Sequence, residues 1–136
     1  VAWLTPAVSA PLPVLGLLAE VRVPIDPAGK AYHFVPATKL LQGQEIFYTL
    51  RIHNPSDQAM IGVVVVQPVP MNTRYVAGSA SGAGAKISCS IDGGNSFAAP
   101  QPRTSGSAPC THLRWQLPYP LAAKAVVLAR FRAVFD

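Results

Sequence analysis

The chain is poor in residues that could do acid–base or metal chemistry. Its six carboxylates are Glu20, Asp26, Glu45, Asp57, Asp92 and Asp136. No two are close in sequence, so a glycosidase-type pair has no support. The three histidines, His33, His53 and His112, stand alone, without the paired spacing of metal ligands. Each reads as an outward residue of a strand. No Gly-x-Ser-x-Gly elbow occurs, although a Ser-His-Asp group drawn from distant positions stays open at this level. Gly78-Ser79-Ala80-Ser81-Gly82-Ala83-Gly84 is glycine-rich, but no helical pattern follows it, which argues against a phosphate cradle. Asp92-Gly93-Gly94-Asn95-Ser96 lacks the alternating acids and terminal Glu of a calcium loop. Its two glycines suit a hairpin turn instead. The expectation is a protein with no catalytic residue, no metal and no cofactor.

Cys89 and Cys110 are the one remaining chemical pair. In an oxidising compartment a bridge between them would close a loop of about 20 residues and contribute roughly 3 kcal/mol by chain entropy. The alternative is two thiols, with Cys89 a small core residue. Alternation turns Cys89 inward and Cys110 outward, a conflict unless the second strand starts after Cys110. The net charge of +5 comes from eleven Lys and Arg scattered singly from Arg22 to Arg132. Scattered charges of this kind keep the outer face of a sheet wet, so no nucleic-acid partner is expected.

These residues must be positioned by short elements. Fourteen prolines in 136 residues exclude long helices, and 50% apolar with 12% charged residues excludes disorder. No apolar run reaches the ~20 residues of a transmembrane helix. Residues 19–23 and 31–35 alternate and end at Pro24 and Pro36. Residues 45–54 put Ile46, Tyr48, Leu50 and Ile52 on one face and Thr49, Arg51 and His53 on the other. Residues 60–67 are apolar on both faces, as in a strand covered twice or one awaiting a partner. Residues 86–92 turn Ile87, Cys89 and Ile91 inward. Thr111, Leu113, Trp115 and Leu117 share the next inner face, with Trp115 as core anchor. Val127, Ala129, Phe131, Ala133 and Phe135 share the last. About eight short strands, within a range of seven to nine, predict an all-β sandwich at residues 19–136.

Residues 1–18 read as a separate, proline-broken apolar arm. Val8-Ser9-Ala10 has the small-x-small form of a signal-peptidase site, so residues 1–10 also read as a signal-peptide remnant. Trp3, Leu4, Leu12, Val14, Leu15, Leu17 and Leu18 are the arm's candidate contact residues. They cannot all face water without exposing a large apolar strip. The arm either folds back through a tight reversal near Gly16 or passes to a neighbouring molecule.

Gly43-Gln44-Glu45-Ile46-Phe47-Tyr48-Thr49-Leu50-Arg51-Ile52-His53-Asn54, then Val65-Val66-Gln67-Pro68-Val69-Pro70 and Tyr75-Val76-Ala77-Gly78-Ser79-Ala80, resemble motifs of the bacterial DUF11-like conserved repeat domain. Ser90-Ile91-Asp92-Gly93-Gly94-Asn95-Ser96-Phe97 and Thr111-His112-Leu113-Arg114-Trp115 resemble those of an exported envelope branch. Gln67 stands where that family usually has Asp. The resemblance implies an immunoglobulin-like sandwich on exported bacterial proteins, without catalytic residues. These signs of export favour the Cys89–Cys110 bridge. Two functions follow as expectations. The first is a cell-surface or extracellular filament subunit that donates its arm head-to-tail to a second copy. The alternative is a monomeric periplasmic or secreted module that binds an envelope glycan or protein partner through Arg114, Arg130, Arg132 and exposed aromatics.

Overall fold

The computed structural model describes residues 12–99 and 109–136. Nine strands occur there: β1 (Val14–Pro24), β2 (Tyr32–Pro36), β3 (Glu45–His53), β4 (Val64–Pro68), β5 (Thr73–Tyr75), β6 (Ser81–Gly82), β7 (Lys86–Ser90), β8 (His112–Gln116) and β9 (Val126–Phe135). The larger sheet runs β2-β1-β3-β9-β5, with β6 also on β9; the smaller runs β4-β8-β7. Every pairing is antiparallel. The protein is therefore a β-sandwich. Its last strand lies between β3 and β5, whereas the immunoglobulin order places the last strand at a sheet edge.

Alternation builds the core. Ile46, Tyr48, Leu50 and Ile52 of β3 and Ala129, Phe131 and Ala133 of β9 face Leu113 and Trp115 of β8 and Val65 of β4, all buried. Trp115 has no exposed surface. Its ring lies 6.1 Å from that of Phe131, which in turn stacks on Tyr48 at 4.8 Å. The indole N–H donates to the Ser81 carbonyl at 3.2 Å, so the core anchor also holds β6 in place. Gly82 makes that placement possible: a Cβ there would lie 2.5 Å from the Leu128 carbonyl oxygen. The glycine-rich segment thus brings one backbone close to another.

Two boundaries differ from the sequence expectation. Residues 14–18 are not a separate arm but the first half of β1, in register with β3 from Val14↔His53 to Leu18↔Thr49. The reversal near Gly16 does not occur; one continuous strand serves β3 with its first half and β2 with its last residues. Residues 60–67 shrink to β4, because Met60 makes only an isolated bridge to Leu121. That segment is apolar on both faces yet covered on one: Val63 and Val65 are buried, Val64 and Val66 exposed. Ile91 is exposed rather than inward, because β7 ends at Ser90 and the chain turns. Trp3, Leu4 and the signal-peptide reading of residues 1–10 lie outside the described residues.

Candidate functional site

Three places gather polar or apolar groups that could carry function. The first is the turn after β7. The buried Ser90 hydroxyl donates to the Asp92 carboxylate at 2.7 Å and accepts from the Gly94 N–H at 2.8 Å. Asp92 also accepts from the Ser96 N–H at 2.9 Å and the Ser96 hydroxyl at 2.6 Å. These bonds from Ser96 and Ser90 hold the Asp92 carboxyl down at about 2. Thr111 donates its hydroxyl to the Ser90 carbonyl at 3.1 Å. Its oxygen lies 3.0 Å from Nδ1 of His112. Ser, Asp and His do converge, but in the wrong order for nucleophilic catalysis. Serine bonds aspartate directly, and the Ser90 hydroxyl does not donate to the imidazole. The cluster fastens a turn.

That turn delivers the cysteines. Cys89 and Cys110 are joined, with S–S 2.03 Å and Cα atoms 5.8 Å apart. The facing conflict disappears because β8 starts at His112, after Cys110. Ala98 exchanges two backbone bonds with Cys89 (2.8 and 2.9 Å), so the chain leaving the turn lies along β7.

The second place is the edge of β1. β3 covers one side of Val14–Glu20, while β2 reaches only Glu20–Pro24 on the other. Among the described residues no strand pairs the outer edge of residues 14–18, whereas the Ala19 carbonyl accepts from the Ala37 N–H at 3.0 Å. Leu15 and Leu17 share the inner face with Ile52 and Leu50, yet remain 45% and 43% exposed. Leu12, Val14 and Leu18 are exposed as well. Five of the seven predicted arm residues are therefore apolar and exposed along one strand and its lead-in.

The third place is the outer face of the larger sheet. Register sets two rows across it: Glu20–Phe47–Arg132 and Leu18–Thr49–Arg130–Ser81. They floor a groove of ≈ 390 Å³ whose lining includes Glu20, Phe34, Phe47, Arg130 and Arg132. Phe34 meets Phe47 edge-on at 5.1 Å, and the Arg22 guanidinium lies 4.6 Å from the Tyr32 ring and 5.4 Å from that of Phe47. Arg132 is paired with Glu45. The three arginines proposed together from sequence do not converge. Arg130 and Arg132 share this face, while Arg114 belongs to the smaller sheet, where its Nε donates to Ser88 at 3.0 Å and its guanidinium lies 4.4 Å from the Phe97 ring. Sequence reasoning missed Glu20, Phe47, Thr49 and Ser81. Alternation already turned Thr49 outward; the pairing of β3 with β9 that sets it beside Arg130 had no local signal.

Among the described residues no three His, Cys, Asp or Glu side chains come together as a metal site, and no helix is long and apolar enough to cross a membrane. Gln67 donates to the Pro68 carbonyl at 2.9 Å. No protein-family model, curated protein or solved structure matches the chain.

Proposed function

We propose that this protein is a non-enzymatic structural module of an exported bacterial assembly, joining copies of itself by strand pairing at the edge of β1. The observation that carries the reading is the half-strand of residues 14–18, paired on one side only among the described residues and exposing apolar side chains on both faces. An edge of that kind adds a strand readily: backbone bonds supply affinity and alternate side chains supply register. The smaller sheet also ends in an apolar strand, β4, with Val64 and Val66 exposed. Two unlike edges on one molecule favour a head-to-tail contact, which does not close on itself and can grow. The disulfide supports export, because such bonds persist in oxidising compartments. The DUF11-like resemblance points the same way. The contact differs from arm donation in one respect: residues 14–18 stay in their own sheet and offer their free edge.

Sedimentation velocity over a concentration series tests it. The full chain is expected to form larger species as concentration rises. Leu15→Lys together with Leu17→Lys should hold it monomeric, since charge at an edge blocks pairing. The near-ultraviolet signal of buried Trp115 should be unchanged. A full chain that stays monomeric at every concentration removes the reading.

A further inference from the structure

The groove on the outer face of the larger sheet has the layout of a small-ligand site, independently of any self-association. At ≈ 390 Å³ it falls at the lower end of the ~300–1,000 Å³ usual for such clefts, room for one or two sugar rings. Its groups are ordered by register. Glu20, Phe47 and Arg132 lie side by side on β1, β3 and β9, so the carboxylate and the arginine stand two strand spacings, about 10 Å, apart with an aromatic ring between. Thr49, Arg130 and Ser81 form the next row.

The arginines differ in what they already do. Arg132 is held by Glu45, and Arg22 lies against the Tyr32 and Phe47 rings. Arg130 is exposed and has no carboxylate partner among the described residues. Its guanidinium fork is therefore available to a planar anion, which it can hold by two parallel bonds. With Arg132 paired to Glu45, Arg130 is the lining arginine, and Glu20 the lining carboxylate, without an ion-pair partner among the described residues. That balance suits a ligand with a single negative charge at one end and hydroxyl donors at the other; a dianionic phosphate would meet Glu20 unfavourably.

We propose that this groove binds a carboxylated saccharide of the hexuronic-acid type. Arg130 takes the carboxylate, Phe47 supports the apolar face of the ring, and Glu20 and Thr49 accept hydrogen bonds from ring hydroxyls. Ser81, set on β6 by Gly82 and by the Trp115 indole bond, closes the far side beside Arg130.

Backbone-amide NMR of the full chain, titrated with methyl galacturonoside, which carries one carboxylate, and separately with the neutral methyl galactoside, tests the assignment. Shifts should map to the outward residues of β1, β3 and β9 and to Ser81, and the acid should bind at least about tenfold more tightly than the neutral sugar. Arg130→Gln should weaken the acid about tenfold and erase that preference, with Arg130→Lys restoring part of it. Arg114→Gln, on the opposite sheet, should change nothing. Three results would overturn the proposal: no groove shifts at millimolar acid, equal binding of both sugars, or equal shifts from a short poly-glutamate peptide. Unchanged melting of Arg130→Gln separates lost binding from lost fold.

Discussion

Asn54 shows how one side chain can matter more than its position in a turn suggests. It has no exposed surface. Its amide N–H groups donate to the carbonyls of Gln58 (2.8 Å), Leu121 (2.9 Å) and Ala122 (3.1 Å), and its oxygen accepts from the Ser56 N–H and hydroxyl at 2.9 and 2.8 Å. One residue thus ties the end of β3 to the loop before β9. Asn54→Ala would leave several buried groups unpaired and should cost about 2–4 kcal/mol in urea unfolding. Asn54→Asp should cost a similar amount, since a carboxylate cannot donate to those carbonyls. Asp92 gives a pH prediction. Its folded pKa, about 2, lies below the unfolded value of 3.8, so the deprotonated form is the one stabilised. The stabilisation is complete above pH 3.8 and is lost as pH falls through about 2. Carbon-detected titration should find the Asp92 midpoint near 2, and Asp92→Asn should flatten the stability curve across that window. Trp115→Ala should cost about 3–5 kcal/mol, because a fully buried ring leaves a cavity beside Phe131 and frees the Ser81 carbonyl.

At the scale of elements, the β7–turn–β8 unit is the most heavily fastened part of the molecule. It carries the Ser90–Asp92–Ser96 bonds, the Thr111 link and the disulfide. The disulfide closes a loop with a sequence separation of 21, which corresponds to about 3 kcal/mol in the chain-entropy account. Reduction should lower unfolding stability by about that amount. Intact mass should rise by two hydrogens with reductant; two free thiols before reduction would contradict the bond. β1 is the opposite case. Only Glu20 is paired by both β2 and β3; among the described residues, residues 14–18 have β3 alone and residues 21–24 have β2 alone. Deleting residues 1–18, which the reading of a separate arm makes a clean test of assembly, instead strips half of β1 and opens the edge of β3. That deletion should lower the melting temperature and promote aggregation.

Over the whole molecule, alternation along β3, β8 and β9 was enough to assign the inner faces, and the turn residues between them to predict a sandwich. The period of two is local, set by backbone geometry, so it survives without knowledge of partners. Trp115 in the core followed from the same rule. Strand order did not: that β9 lies between β3 and β5 depends on contacts far apart in sequence, with no local signature. The same reason hid the groove, since Thr49 and Arg130 become neighbours only through the β3–β9 register. It also explains the arm. Hydrophobicity and prolines mark residues 12–18 as apolar and extended, but extended chain reads alike whether it is free or paired. By itself the sequence determined an all-β chain, the inward residues of β3, β8 and β9, its turns and its one cysteine pair, because each is dictated by a few neighbouring residues. Only the tertiary structure decided which strands meet, which edge stays open and which charges share a face, because those follow from pairing over long separations.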